Sequence, residues 1–152
     1  MFTVGKVLCP IDFSATTDSA VDAGLQIVAS HKAELYLLHV IEGPASAGDL
    51  AVEPSRAEVA RERVRERLAA IASSRGASVQ PHLLVSDGEP AEEILRFEEL
   101  FGVDMIILAP HGRPTLGKII FGSVADKVTR GSRAHILIVK GRPDEQPSTL
   151  LD

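Results

Sequence analysis

The fifteen residues from Ala109 to Ser123, APHGRPTLGKIIFGS, hold Gly112, Gly117 and Gly122, the cations Arg113 and Lys118, and a closing serine. Glycine lets backbone amides approach an anion closely, the two cations add positive charge, and the serine hydroxyl can donate a hydrogen bond. An apolar run, Val103 to Leu108, precedes this stretch, and Val124 to Val128 reads as the first turns of a helix. A glycine-bearing loop between a buried strand and a helix start suits an anion. The first helical N–H groups have no intrahelical partner and carry the positive end of the dipole. Phosphate, carried by a nucleotide, is the anion this pattern fits best. Gly112 to Lys118 also matches G-x4-G-K, but Ile119 stands where a P-loop needs Ser or Thr for Mg2+. A single strand follows it, so this second match reads as coincidence.

Other chemistry is sparse. His31, His39, His82, His111 and His135 have no metal-ligand spacing, and no Ser–His–Asp grouping or pair of acidic catalysts emerges. Any hydrolysis of a bound nucleotide is therefore expected to be slow. Cys9, the one cysteine, reads as a small core residue and fits a reducing compartment. The start, MFTVGKVLCP, does not read as a signal peptide, and no apolar run approaches the ~18 residues that would span a bilayer. The expected setting is the cytoplasm. A net charge of −5 argues against nucleic acid as the main partner, because no basic excess exists to displace phosphate counterions. Any anion site must be local.

The elements that must position this loop alternate in type. Thr3 to Cys9 reads as the first strand, Pro10 to Ser14 as a turn, and Thr16 to His31 as a helix with Val21, Gly24, Leu25 and Val28 on its apolar stripe. Glu34 to Ile41 is a strand apolar enough to be buried on both faces. Residues 42–55 form a long loop, either a lid or a linker. Arg56 to Arg75 is a helix with Ala57, Ala60, Val64, Leu68 and Ile71 inward, Glu58 and Glu62 set against Arg61 and Arg65 at i, i+4 spacing, and Gly76 as its stop. Val79 to Val85 is the third strand. Ser86 to Pro90 caps a helix ending near Phe101, with Ile94, Leu95, Phe97 and Phe101 inward. Val103 to Ala109 is the fourth strand, Gly122 to about Ser132 the fourth helix, and His135 to Val139 the fifth strand.

This order predicts an open five-stranded parallel sheet with helices on both faces, Rossmann-like, in strand order 3-2-1-4-5. A ligand then sits beyond the carboxyl ends of the strands where their order reverses, between the loops after strands one and four. Residues 1–141 form the single domain, and 142–152 a frayed tail.

The residues also resemble the universal stress protein family over nearly the whole chain. A first strand ending in proline–X–aspartate appears as Leu8-Cys-Pro-Ile-Asp-Phe-Ser14, and a second strand ends as Leu38-His-Val-Ile41. The family signature G-x2-G-x9-G-[S/T] falls on Ala109, Gly112, Gly122 and Ser123, with His111-Gly112-Arg113 inside it. The resemblance implies a fold of the adenine nucleotide alpha hydrolase kind and a pocket for ATP or AMP, with Mg2+ or Mn2+ accompanying ATP on its phosphates. Asp12 would hold ribose hydroxyls, Pro10 and Ile11 would line base or sugar, and Val40 would meet adenine. Gly112, Gly122, Ser123 and the following Val124 and Ala125 would bind phosphates, with Ala109, His111 and Arg113 completing the loop. A homodimer through the last strand, His135 to Lys140, is implied as well, and an apolar sheet edge favours the same arrangement.

Two positions depart from the family pattern. Ala109 replaces the first glycine, and Pro110 has no N–H to donate. If the first position needs positive φ, alanine is strained there. The rival expectation is thus a nucleotide-free dimeric stress or interaction protein whose pocket these two residues impair.

Overall fold

A computed structural model describes residues 2–42, 54–76, 78–109 and 122–140. Among them the elements run β1 (Lys6–Pro10), α1 (Thr17–His31), β2 (Glu34–Ile41), α2 (Pro54–Ser73), β3 (His82–Asp87), α3 (Pro90–Phe101), β4 (Met105–Leu108), α4 (Ser123–Gly131) and β5 (His135–Ile138). The strands pair in parallel in the order β3-β2-β1-β4-β5, as the alternation of strand and helix predicts.

Strand periodicity divides the core into two layers. Val7, Cys9, Leu35, Leu37 and Ile107 pack with Ala20, Val21, Leu25 and Val28 of α1 and Leu68 of α2. Leu8, Leu38, Ile106 and Leu108 pack on the opposite face with Ala91, Ile94 and Phe97 of α3 and Ala125 and Val128 of α4. Each large aliphatic side chain so buried contributes about 1.5–3 kcal/mol. Gly24 lets α1 come close to the sheet, since a Cβ there would stand 3.1 Å from Leu35 Cδ1 and 3.3 Å from Ile107 Cδ1. Helix α3 is bounded by its own chemistry. The Glu89 side chain caps it through Glu92 N–H at 2.8 Å, Pro90 starts it, and Gly102 closes it at φ +66°.

Several boundaries differ from those the pattern suggests. β1 begins at Lys6, not Thr3, because its pairing with β2 starts at Lys6 opposite Glu34. Its start is fixed to β4 by Asp104 Oδ2, which accepts from Gly5 N–H at 2.8 Å and Lys6 N–H at 2.9 Å. β3 runs later than Val79–Val85, because its register on β2 joins Tyr36 with His82 and Ile41 with Asp87. α2 starts at Pro54 and ends at Ser73. Arg75 leaves the helix, and its guanidinium pairs with Asp18 at 2.6 Å and Asp22 at 3.0 Å on α1. On α2 itself Ala60 is exposed, and Arg65 reaches Glu62 at i, i+3 (3.0 Å) instead of the expected i, i+4. Arg61 crosses to Asp87 at the end of β3. The loop 43–53 and the tail from 141 lie outside the described residues.

One carboxylate fixes the approach to the last strand. Glu98 Oε1 accepts from Ser132 Oγ at 2.7 Å, Arg133 N–H at 2.9 Å and Ala134 N–H at 2.7 Å, tying the α4–β5 connection to α3. Replacing Glu98 by Ala leaves those donors without their acceptor and should cost about 1–3 kcal/mol. Urea unfolding should record this as a lower midpoint at unchanged slope.

Candidate functional site

The turn after β1 is held more tightly than a plain connection requires. Ile11 N–H donates to Leu38 O at 2.7 Å, and Asp12 Oδ1 accepts from Ser14 N–H at 2.9 Å in an Asx turn. Between them Phe13 sits at φ +60°, a left-handed conformation that costs about 1–2 kcal/mol for such a side chain. Packing holds it there. Its ring lies 4.7 Å from the His39 ring, and the Arg67 guanidinium stands 3.7 Å over it. His39 Nδ1 in turn donates to Ile11 O at 2.6 Å. A carbonyl only accepts, so in that bond the proton belongs to Nδ1.

All four helix starts lie at the same end of the sheet, because every helix here follows the carboxyl end of a strand. α3 is capped by Glu89, whose carboxyl is held below the usual carboxylate range, first by the Glu92 N–H and also by that of Ala91 and the charge of Lys127. α4 begins differently. Gly122 is its N-cap, in extended conformation with no side chain to offer, and Ser123 is the first helical residue. Ser123 is therefore not the N-cap that its hydroxyl suggests. Among the described residues no side chain occupies the first N–H groups of α4, so the positive end of that helix stays open.

These pieces enclose a cavity of about 300 Å³ at the carboxyl ends of β1, β2 and β4. Pro10, Ile11, Asp12, Val40, Ala109, Gly122, Val124 and Ala125, all singled out from the sequence, line it together. Ser123 is exposed beside it and is not part of the wall. His111, Gly112 and Arg113, with Pro110 and Lys118, lie outside the described residues. Ala109 is not in the positive-φ region, where Phe13 and Lys32 are the described non-glycine residues, so no backbone strain attaches to the missing glycine. Its side chain also packs against the sheet core.

Sequence reasoning missed Thr17, Ala20, His39, Glu42, Pro90, Ile94 and Leu108, which complete the wall. Pro90 and Ile94 were findable. A helix that returns from β3 to β4 must pass over β2 and β1, which brings its start above the switch point. His39 carried no such signal, since strand alternation puts it on the face opposite Val40. The wall is mainly apolar, with Asp12, Glu42, His39 and Thr17 as its polar members. Among the described residues no group of three or more His, Cys, Asp or Glu could hold a metal.

The sequence matches the Universal stress protein family over residues 3–140. Universal stress protein YxiE of Bacillus subtilis is 31% identical over 147 residues, covering 89% of this chain and 98% of that protein. Universal stress protein MJ0577 of Methanocaldococcus jannaschii is 29% identical over 153 residues, covering 89% of this chain and 94% of that one. Its solved structure superimposes with a TM-score of 0.77 at 28% identity, over 93% of this chain and 99% of that one. A universal stress protein solved in complex with cAMP gives a TM-score of 0.67 at 20% identity, over 93% and 100% of the two chains, a likeness of fold.

Cys9 ends the buried part of β1 just before the cavity wall. Its thiol is pushed from 9.0 up to about 12, by burial first and then by the charge of Asp12. The native protein should therefore resist iodoacetamide at pH 8, and urea-unfolded protein should be alkylated. The unfolded thiol ionises first as pH rises, so the unfolded state gains stability from 9.0 upward toward about 12. A Cys9→Ala variant should lose that alkaline component of the stability profile.

Proposed function

The chain belongs to the universal stress protein family, and from that premise we propose that it binds an adenine nucleotide, ATP or AMP, and acts as a sensor or regulator of the stress response. One observation carries the reading. Eight residues chosen from the sequence, on three strand ends and the start of α4, meet in one cavity of nucleotide-compatible size. In this reading Asp12 accepts from ribose hydroxyls, and Val40, Pro10 and Ile11 supply apolar contact for base and sugar. The open N-terminus of α4 at Gly122, with Val124 and Ala125, takes phosphate. Gly112 and Ser123 are proposed to bind the phosphates as well, with His111 and Arg113 in the same loop.

Asp12 and Glu42 are the carboxylates of the wall, too few for a metal site of their own. Mg2+ or Mn2+ would therefore arrive on the phosphates of ATP. Among the described residues of the wall none pairs a nucleophile with a base, and we expect turnover of ATP to be slow at most. The lone buried cysteine suits a reducing cytoplasm, the setting we assign.

Thermal unfolding tests the pocket. A nucleotide at a hundred times its Kd adds about 2.7 kcal/mol, a Tm rise of roughly 5–10 °C at this size. The rise is expected with Mg-ATP or AMP in the parent and should vanish in Gly122→Val, which adds bulk to a residue of the cavity wall. No rise with any adenine nucleotide at millimolar concentration would leave the rival reading, an interaction protein that works through its surface.

A second reading concerns assembly. β5 is an edge strand, and Ile136, Leu137 and Ile138 are only half-buried in the single chain. We assign this edge, from His135 to Lys140, to a two-fold homodimer contact. Sedimentation should give a dimer for the parent and a monomer of unchanged circular dichroism for Ile138→Lys. A monomeric parent would remove this reading.

A further inference from the structure

Thr17, the first residue of α1, stands between two hollows. One is the 300 Å³ cleft, and the other, about 290 Å³, is bordered by Phe13, Ser14, Arg67 and Ala70. The residue is 6% exposed, and its Oγ1 is buried with no hydrogen-bond partner among the described residues. The nearby groups that could have served it are engaged. Ser14 Oγ and Thr16 Oγ1 bond each other at 2.9 Å, and Ser14 O accepts the backbone N–H of Thr17 at 3.1 Å. A buried hydroxyl without a partner is a net penalty, and valine has the same shape without that penalty. The fold alone gives no reason for threonine here.

The position supplies one. We infer that Thr17 is a ligand contact of the cleft, its hydroxyl donating a hydrogen bond to an oxygen of the bound nucleotide. Threonine in a helix populates two χ1 rotamers, so a rotation that exchanges methyl and hydroxyl brings Oγ1 to the cleft at small cost. The environment favours an acceptor of negative character. Thr16, the N-cap of α1, makes no side-chain bond to the helix, so its positive end is not neutralised by a cap. Ribose and phosphate both present such oxygens. Thr17 thus adds a donor on α1 opposite the amides of α4, across the point where the strand order reverses.

This inference rests on the nucleotide reading, and calorimetric titration with adenosine, AMP and Mg-ATP separates the two. Thr17→Val should weaken binding about fivefold to tenfold, the loss of one hydrogen bond. Without nucleotide its Tm should equal the parent's or exceed it by about 2–4 °C, because an unsatisfied group has been removed. Thr17→Ser keeps the hydroxyl and should bind within about twofold of the parent. A loss already present with adenosine assigns the acceptor to ribose; a loss confined to AMP and ATP assigns it to phosphate. Parent-like affinity of Thr17→Val for all three ligands overturns the inference while the cleft reading stands. A lowered Tm of Thr17→Val without nucleotide also overturns it, because the hydroxyl would then serve the fold. A parent that binds none of the three overturns the cleft reading and the role of Thr17 with it.

Discussion

The fold depends on the central strand being buried on both faces. Val7, Leu8 and Cys9 are fully buried, and β1 pairs in parallel with β2 on one side and β4 on the other. A strand with water on neither face cannot carry polar side chains, so its chemistry is displaced to its carboxyl end. The chain must also leave β1 toward β2 and later return past it to β4. The two crossovers diverge there, and among the described residues no element fills the gap between them. The cavity is a consequence of that divergence. It does not require a special insertion.

What fills the rim of this gap is conformationally expensive. Phe13 adopts a left-handed conformation that most residues avoid, and it is held by ring contact with His39 and by the Arg67 guanidinium. The same His39 donates to Ile11 O, so strand β2, helix α2 and the β1–α1 turn meet at the Phe13 ring. These contacts hold the turn that carries Asp12, whose Oδ1 accepts from Ser14 N–H. Opposite it, the start of α4 offers backbone amides without a side-chain cap, while α3 carries its own carboxylate cap. Of these two neighbouring helices, α4 alone has a start with no side-chain cap bond among the described residues.

Much of this was legible in the sequence, for identifiable reasons. Parallel strands buried on both faces read as continuous apolar runs, so β2 was placed to the residue and the sheet order followed from the alternation of elements. Edges of elements were less legible. β3 was misplaced because Val79 is apolar yet packs against the core without pairing, and register, which decides the strand, is a property of two segments. Alanine signals burial weakly, so the pattern places Ala60 inward although it is exposed, and helical spacing pairs Arg61 within α2 although its partner Asp87 lies on β3. Thr17 was invisible as a wall residue, since a threonine at a helix start reads as capping chemistry. Only the three-dimensional count of hydrogen bonds shows that its hydroxyl caps nothing.

The departure at Ala109 bears most on whether the cleft is functional. Glycine is needed in such a loop for one of two reasons, a positive φ or an approach too close for a methyl group. The first does not apply, because Ala109 is not in the left-handed region. The second is a matter of where the methyl points. Ala109 packs against the sheet core and also borders the cavity, so its methyl group extends an apolar wall already made by Ile11, Val40 and Leu108. A base or sugar face tolerates such a wall, whereas a phosphate held by backbone amides does not need it. In the proposed nucleotide reading the anion would fall to Gly122 and the first turn of α4, where the extended N-cap makes no side-chain cap bond. Alanine at the first signature position therefore removes conformational freedom that the backbone there does not use, and in the proposed reading the position that would need bare backbone, Gly122, keeps its glycine.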